Sequence, residues 1–361
     1  MSFTVVSMAL RHQGEFHSEP MKNVSFATFN LFNLNESGLP LYGKSQGWTQ
    51  AQFAQKIAWT ASQLSLLRAD VWAFQELWHA DSLQNAFAAS SLADDYQLLV
   101  PANAAGQKIV CAAAVRQDIP VESMEWIDKF PSSMVPKSGG SDSQTPAIEV
   151  AIKGFSRPVL HARLKLHPKE PAVHLFVCHF KSKGPTELYR EPWYDKDIHS
   201  MHHTALGAAV STIRRTAEAA AMRVILNEVM KNTDEPVIVM GDINDGQGSN
   251  TQNILTEQPG YLFGDARGGG DTALYSAQIM QEFRDTRDVL YTYSHQGIKE
   301  SLDHILFSQE FYDQSKKRRW SFDGLCVNND HLNFDDHQDS GSNDHGIVQA
   351  RFVYRPAKAQ G

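Results

Sequence analysis

The chain of 361 residues has only three cysteines, Cys111, Cys178 and Cys326, which lie far apart and form no CxxC pair. A disulfide framework and a zinc–thiolate site are therefore both disfavoured, and a reducing compartment is the simpler expectation. No apolar run approaches the roughly 20 residues that a helix needs to cross a bilayer. The first residues carry no basic segment ahead of their apolar patch, so they do not match a secretory signal peptide. We expect a cytoplasmic protein.

An excess of positive charge is also missing. Lys and Arg number 33 against 41 Asp and Glu, so the formal net charge is −8 with the 15 His residues counted as neutral. This balance argues against a protein that coats nucleic acid or anionic lipid by charge alone. It leaves open an enzyme that reaches phosphate groups through a bound metal ion. The GxSxG motif, a GxGxxG motif after a strand and the P-loop are absent too. The chain therefore lacks the usual signatures of competing enzyme classes.

The patterns that are present predict a mixed α/β or α+β protein. With 42% hydrophobic residues the chain can bury a full core, and its apolar runs of strand length alternate with helical patterns. Strands are predicted over 24–31, 70–75, 96–100, 109–115, 158–166, 173–180, 236–241, 302–308 and 346–354. Helices are predicted after a capping box of Thr49 and Gln52, over 81–92 and over 206–231.

Two segments are predicted to be loops. Residues 116–146 are polar and without periodicity, which favours an insertion near a site, and residues 264–271 are rich in glycine. Residues 1–20 are expected to form a loose N-terminal extension. Because no repeat or linker divides the remainder, residues 21–356 are predicted to form a single catalytic domain.

Short polar motifs stand at the ends of the predicted strands, where an α/β fold gathers reactive groups from distant parts of the sequence. In chain order they are Asn30, Gln75-Glu76, His179 with the following FKSKG, Gly241-Asp242-Ile243-Asn244, Asp303-His304 and Asn343-Asp344-His345. Their carboxylates and amides are hard oxygen ligands, which suit Mg²⁺ or Mn²⁺. The imidazoles can move protons near neutral pH, and Lys181 and Lys183 can hold phosphate as point charges. This combination favours phosphate-ester hydrolysis over acyl or hydride transfer.

The order N…QE…H…GDxN…LDH…[SN]DH resembles the endonuclease/exonuclease/phosphatase superfamily. That superfamily includes DNase I-like nucleases, abasic-site endonucleases, sphingomyelinases and inositol-polyphosphate phosphatases. The resemblance spans residues 24–354, and each motif falls at a predicted strand end. It implies a four-layer α/β sandwich, in which two mixed β-sheets pack face to face with helices outside and the active site lies at one sheet edge.

The resemblance also implies roles for individual residues. Glu76 matches the metal-ligand glutamate, Asn30 the asparagine beside the metal ion and Asp344 an aspartate near the same ion. The residues matching catalytic positions are Asp242 to orient or deprotonate the attacking water, Asn244 to hold a phosphate oxygen, Asp303 to pair with His345, and His179 near the leaving oxygen. We assign substrate binding to Lys181, Lys183 and Asn33.

Three positions bear on the subfamily. Phe32 stands two residues after Asn30, where many members carry an acidic or polar residue, and this argues against a second metal ion. Asn343 occupies a position where serine is common, and both types can hydrogen-bond the turn. The stretch HFKSKG resembles bacterial members of the extracellular-nuclease type.

We therefore expect a Mg²⁺- or Mn²⁺-dependent phosphodiesterase that attacks phosphorus with water in one step. The expected substrate is nucleic acid, with DNA first and RNA second, and we expect no obligate protein partner. A phosphomonoesterase or a lipid phosphodiesterase of the sphingomyelin or inositol-phosphate type is the alternative, because the same catalytic set would serve it. A binding module that has lost its chemistry is disfavoured, because no catalytic position is substituted.

Overall fold

The computed structural model describes residues 21–42, 45–140, 144–261 and 270–358. The strands are β1 (Asn23–Leu34), β2 (Val71–His79), β3 (Tyr96–Leu99), β4 (Ala105–Arg116), β5 (Val121–Lys129), β6 (Lys137–Ser138), β7 (Ile148–Glu149), β8 (Gly154–Leu164), β9 (Val173–His179), β10 (Val237–Asp242), β11 (Tyr275–Ser276), β12 (Tyr293–His295), β13 (Ile298–Glu300), β14 (Asp303–Phe307), β15 (Trp320–Asn328) and β16 (Ile347–Tyr354). The α-helices are α1 (Gln50–Leu67), α2 (Ala80–Ala89), α3 (Lys196–His199), α4 (His203–Met230), α5 (Asn250–Thr256), α6 (Ala277–Arg284) and α7 (His337–Ser340).

Most of the strands belong to two six-stranded mixed sheets. The first has the order β15-β16-β1-β2-β4-β3 and the second the order β11-β14-β10-β9-β8-β5. In the first sheet β1 is parallel to β2 and antiparallel to β16. In the second, β10 is parallel to β9 and antiparallel to β14. Each sheet therefore has a central parallel pair beside an antiparallel strand.

The two sheets face each other across the main hydrophobic core. Phe26 of β1 and Phe352 of β16 pack there with Leu175 of β9 and Ile305 of β14. Alternate residues of the same strands point outward, as the period of a strand requires. Each fully buried Phe or Leu side chain stabilises the fold by about 1.5–3 kcal/mol relative to its exposed state.

Helices cover the outer face of each sheet. Leu64 of α1 and Phe87 of α2 pack against Phe74 on the first sheet, while Met222 and Leu226 of α4 pack against the second. The predicted four-layer sandwich is confirmed. Within the described residues, no helix has the length and apolar character needed to cross a bilayer.

Local signals placed several elements correctly. The Thr49 side chain accepts a hydrogen bond from the Gln52 backbone and the Gln52 side chain reaches back, so α1 begins after the predicted capping box. The long helix predicted over 206–231 is α4, which begins three residues earlier, at His203. Met222 and Leu226 of this helix cover the second sheet, whereas Leu206 and Ile213 near its start are exposed.

The prediction that residues 116–146 form a loop is wrong for part of that segment. Residues Val121–Lys129 form β5, an edge strand that pairs with β8. Most of its side chains are exposed, so the strand lacks the apolar alternation on which the sequence argument depended. The last residue of β5, Lys129, pairs with Gly154 at the start of β8. The rest of the segment leaves the sheet at this point.

Two other predictions concern residues that lie wholly or mostly outside the described ranges. The proposed extension over 1–20 lies outside them, and so does most of the glycine-rich segment 264–271, of which only residues 270 and 271 are described. The assignment of residues 21–356 to one catalytic domain stays a prediction. The strands from β11 to β13 were not predicted, because they contain only two or three residues each.

Candidate active site

The sheet topology brings the predicted site residues to one edge of the sandwich. The parallel strands β1, β2, β9 and β10 end at this edge, and the antiparallel strands β14 and β16 begin there. The residues delivered in this way are Asn30, Glu76, His179, Asp242, Asp303, Asp344 and His345. A cleft of about 710 Å³ opens at the edge and is lined by Glu76, His179, Asp242, Asn244, Asp344 and His345 among others.

A hydrogen bond between buried side chains joins strands β1 and β10 of the two sheets inside the site. The Asn30 side chain, from the first sheet, donates through Nδ2 to Asp242 Oδ2 of the second sheet at 3.1 Å. Both residues are buried. His179 Nε2 lies 3.6 Å from the same carboxylate oxygen. Asp242 is therefore held at the junction of the two sheets.

The Gly241-Asp242-Ile243-Asn244 turn has the backbone that its sequence requires. Gly241 has φ of 143°, and a Cβ there would lie 2.0 Å from the Cys178 carbonyl oxygen on the neighbouring strand. Only glycine fits this close approach. The Asn244 backbone N–H donates to Asp242 Oδ1 at 2.8 Å, and its side chain donates to the Phe180 carbonyl at 3.0 Å. Asn244 is thus fixed between β9 and β10.

Glu76 lies on an irregular part of β2. Its φ is 58°, in a region that non-glycine residues rarely occupy, and the pairing of β2 with β4 shifts register between Phe74 and Leu77. The bulge turns the Glu76 carboxylate towards the cleft, where Oε2 accepts a hydrogen bond from the Asn33 backbone N–H at 3.0 Å. Strained backbone of this kind is frequent at functional sites.

The observed hydrogen bonds of Asn33 are to other residues of the protein, and its backbone N–H bonds the Glu76 carboxylate. Its side-chain oxygen accepts a hydrogen bond from the Trp78 indole at 3.0 Å, and its carbonyl accepts one from the Trp48 indole at 2.7 Å. Substrate binding by Asn33 stays a prediction.

Asp303 and His345 form a buried pair, as the sequence predicts. His345 Nδ1 donates to Asp303 Oδ2 at 2.7 Å, and the second oxygen, Oδ1, is buried without a hydrogen-bond partner among the described residues. Burial alone would lower the pKa of His345, but the carboxylates of Asp303 and Asp242 raise it well above its ordinary value. His345 is therefore a cation at neutral pH.

The other buried groups shift in complementary directions. Burial raises the pKa of Asp242 to about 7, and the neighbouring charges of Asp303 and Glu76 add to the increase. Burial, together with the positive charge of Arg157, lowers the pKa of His179 well below its ordinary value. The cleft thus contains a carboxylate that can exchange a proton near neutral pH, a charged imidazole and a neutral imidazole.

The two lysines of the FKSKG stretch differ in their surroundings. Lys183 forms ion pairs with Glu300 and, at 3.3 Å, with Asp245. Lys181 Nζ donates to Ser182 Oγ at 3.1 Å and to the Gly184 carbonyl at 3.2 Å. In the described part of the chain Lys181 has no carboxylate within ion-pair distance, so it is the more available cation of the two.

Sequence reasoning missed Arg157 and two tyrosines of the cleft. Arg157 lies near the start of β8 and donates to the Phe180 carbonyl at 3.2 Å, and no described carboxylate lies within ion-pair distance of it. Tyr293, from β12, places its ring 5.0 Å from the His345 ring, while Tyr42 is 59% exposed. No sequence motif marks these residues. Arg157 is brought to the cleft by the pairing of β8 with β9, Tyr293 by an isolated bridge to His345, and Tyr42 lies in the connection between β1 and α1.

Among the described residues of the cleft, two groups offer metal-binding atoms. Asp242, Asp303 and His345 each place one such atom within 4.8 Å of the others, but Asp303 Oδ2 and His345 Nδ1 already bond each other, and a metal ion on this imidazole would have to displace a proton. Glu76 and Asp344 fit a metal ion better. Burial and then the Asp344 charge raise the pKa of Glu76, and among the described residues neither carboxylate has a Lys or Arg partner. A divalent cation would relieve this repulsion.

The fold and the buried acidic and imidazole groups at its edge indicate a hydrolase of phosphate esters. The model of the Endonuclease/Exonuclease/phosphatase family matches residues 27–334. The chain therefore belongs to this family, whose members are hydrolases of phosphate esters and typically use divalent metal ions. No curated protein matches the chain.

Solved structures share the fold at low sequence identity. A humanised TDP2 of D. rerio is 15% identical, with a TM-score of 0.52, and covers 91% of this chain and 98% of its own. A mannosyl-6-phosphatase of Bacteroides thetaiotaomicron is 14% identical, with a TM-score of 0.52 and coverage of 92% and 100%. The catalytic domain of human nocturnin is 13% identical, with a TM-score of 0.52 and coverage of 93% and 97%. At these identities the likeness shows the fold alone.

Proposed function

We propose that this protein is a divalent-metal-dependent phosphodiesterase that hydrolyses nucleic acid, DNA first and RNA second, by direct attack of water on phosphorus. The observation that carries the proposal is the joining of Asp242, the Asp303–His345 pair and the Glu76 and Asp344 carboxylates in one cleft. Proton-transfer groups and anionic metal ligands side by side are what hydrolysis of a phosphodiester needs.

Glu76 and Asp344 would hold the metal ion, with Asn30 beside them. When bound, a divalent cation supplies Lewis-acid stabilisation of the charge that develops on the phosphate oxygens. Asn30 already places its amide group against Asp242, so the metal-binding and proton-transfer halves of the site are in direct contact.

Asp242 is the proposed general base. Its pKa of about 7 lets the ionised carboxylate take a proton from water at neutral pH and release it afterwards. The Asn244 backbone N–H holds Oδ1 at 2.8 Å, so the carboxylate has one fixed orientation. We propose that the Asn244 side chain uses its second N–H to hold a phosphate oxygen.

The two imidazoles have different proposed roles. His345 carries a positive charge and stabilises the phosphate anion, while Asp303 keeps its ring oriented. His179 is neutral and carries a single N–H, which we assign to the leaving oxygen. Its Nε2 lies 3.6 Å from Asp242 Oδ2 and is the ring nitrogen we assign to this contact, since Nδ1 is buried without a hydrogen-bond partner among the described residues.

Arg157 and Lys181 support a phosphodiester substrate. Both cations line the cleft, and the exposed ring of Tyr42 and the ring of Tyr293 offer faces on which a base can stack. The pairing of Lys183 with Glu300 favours instead a small substrate with few phosphate contacts. A phosphomonoesterase or lipid phosphodiesterase is therefore retained as the second candidate.

An assay panel tests the proposal. The purified protein is incubated with Mg²⁺ or Mn²⁺ and with plasmid, single-stranded DNA, RNA, sphingomyelin, inositol phosphates and a chromogenic phosphodiester. Glu76→Gln is the matched control, since it keeps the shape of the side chain and removes its charge. Cleavage of nucleic acid that this variant abolishes supports the proposal, and turnover confined to a lipid or a sugar phosphate overturns it.

The cytoplasm is the compartment we propose, and the three free cysteines, two of them buried, are in keeping with it. Cell fractionation with an antibody tests this assignment, and recovery from the periplasm or the medium contradicts it.

A further inference from the structure

Lys56 of helix α1 is fully buried next to the site, although the proposed mechanism does not use it. Its side chain is 0% exposed. The ammonium nitrogen lies 5.1 Å from the centre of the Phe32 ring and 5.7 Å from the rings of Trp48 and Trp59. A cation over three aromatic faces is held by their electron-rich surfaces.

The ammonium group also bonds the segment that carries two site residues. Lys56 Nζ donates to the Ser342 carbonyl at 3.1 Å and to the side-chain oxygen of Asn343. Asn343 in turn donates through Nδ2 to the carbonyl of Asn30. A continuous set of hydrogen bonds therefore runs from α1, through the residue that precedes Asp344, to Asn30 of β1.

Helix α1 and this segment approach each other closely at Gly341. Gly341 has φ of 75°, and a Cβ there would lie 2.5 Å from the backbone carbon of Gln55, the residue before Lys56. The contact leaves no room for another side chain. The position of Asp344 and His345 relative to the first sheet is thus set from the α1 side.

A buried lysine is costly for the fold. Burial lowers the pKa of Lys56 to about 7, against the opposing influence of Asp344 and Glu76. Desolvation of a charged group destabilises the fold unless its partners compensate, and an apolar side chain of similar length often fits such a site at no loss of stability. Core packing alone therefore gives no reason for a lysine here.

We propose that Lys56 is a positioning residue, which holds the Ser342–His345 segment against β1 so that Asp344 and His345 face the cleft. This inference rests on the proposed function, because the two residues it positions belong to the proposed metal-binding and phosphate-binding groups. Lys56 touches neither the substrate nor the reacting atoms, and it acts through Asn343.

The first test compares the variant Lys56→Met with Leu64→Ala. Leu64 is a buried core residue of the same helix, and its truncation loosens α1 without removing a contact to the Ser342–His345 segment. We expect Lys56→Met to lower kcat at least tenfold with KM within twofold of the wild-type value, and Leu64→Ala to leave kcat within threefold at a temperature where it is folded. Equal losses of kcat in the two variants would overturn the proposal.

Asn343→Ala breaks the same connection from its other end and serves if Lys56→Met does not fold. We expect a similar loss of kcat, and in the double variant a loss well below the product of the two single losses, because both changes remove one connection. Independent, multiplying effects contradict the proposal.

A measurement without substrate or metal ion separates this inference from the proposed function. The proton between His345 Nδ1 and Asp303 should give a low-field ¹H NMR resonance, assigned by its loss in His345→Gln. In Lys56→Met we expect the resonance to shift or broaden, and in Leu64→Ala to stay in place. An unchanged resonance in Lys56→Met overturns the positioning role, even if the protein hydrolyses no phosphodiester at all.

Discussion

At the scale of single residues, the site depends on buried groups whose protonation states differ. Asp242 has its pKa raised to about 7 by burial, His345 is held charged by Asp303 and Asp242 despite its burial, and burial keeps His179 neutral. One imidazole is paired with a carboxylate at 2.7 Å and the other lies 3.6 Å from one. Their surroundings therefore give two histidines of one cleft different chemistry.

Removal of Asp242 or of His345 should abolish most of the activity. Asp242→Asn and His345→Ala should each lower kcat by at least about 100-fold, which is the scale of a lost general base and of a lost group that stabilises developing negative charge. The circular dichroism spectrum should not change, because both side chains line the cleft and neither belongs to the hydrophobic core. Asp94→Asn, at an exposed position outside the cleft, is the matched control. A kcat near the wild-type value for His345→Ala would remove this residue from the mechanism.

At the scale of elements, the sequence indicates most of the site because the motifs lie at strand ends. A strand of apolar residues followed by a polar motif, such as 236–244, predicts both the element and its reactive end. Parallel strands then bring Asn30, Glu76, His179 and Asp242 to the same edge, which the α/β pattern implies. The choice of edge and the sheet order come from long-range pairing, which no local pattern contains.

The residues that the sequence did not indicate reach the site only because their strand or helix packs beside another element. Arg157 reaches the cleft because β8 pairs with β9, and Lys56 reaches Asn343 because α1 packs beside the start of β16. Neither residue stands in a motif. The edge strand β5 was missed for a related reason, since its exposed side chains lack the alternation of a half-buried strand.

The outer surface of the second sheet carries a pair of histidines that should make stability depend on pH. His161 Nε2 and His174 Nδ1 lie 2.9 Å apart, and His174 Nε2 lies 3.2 Å from Glu235 Oε2. Burial and then the charge of His161 lower the pKa of His174 to about 4. The unfolded chain takes up a proton near pH 6.5, so stability is complete above that value and decreases as the pH falls towards about 4.

Urea unfolding between pH 4.5 and 7.5 measures this dependence. The contribution of His174 to the slope is at most about 1.4 kcal/mol per pH unit. We expect His174→Gln, which keeps a hydrogen-bonding side chain but does not titrate, to have a shallower slope than the wild type. Exposed His203 provides the control, as His203→Gln should keep the wild-type slope. Identical slopes in His174→Gln and the wild type would exclude this source.

At the scale of the whole molecule, a net charge of −8 limits how strongly the protein can hold a polyanion. The cleft itself contributes Arg157 and Lys181 as cations without carboxylate partners among the described residues. Each phosphate neutralised on duplex DNA contributes about −0.9 to the slope of log affinity against log salt concentration. Two contacts predict a slope of about −2 for kcat/KM on duplex DNA. A slope of −5 or steeper would require a basic surface that this account does not include.

The central claim is that Glu76 and Asp344 hold a divalent cation beside Asp242 and the Asp303–His345 pair, and that this site hydrolyses phosphodiesters. The most direct measurement follows cleavage of single-stranded DNA by protein treated with EDTA and dialysed, before and after addition of Mg²⁺ or Mn²⁺, for the wild type and for Glu76→Gln. We predict no cleavage without the metal ion, full recovery of the wild type on its addition, and little or no recovery of the variant unless Mn²⁺ is in large excess. Cleavage that survives EDTA and dialysis, or a Glu76→Gln variant that recovers like the wild type, would contradict the account.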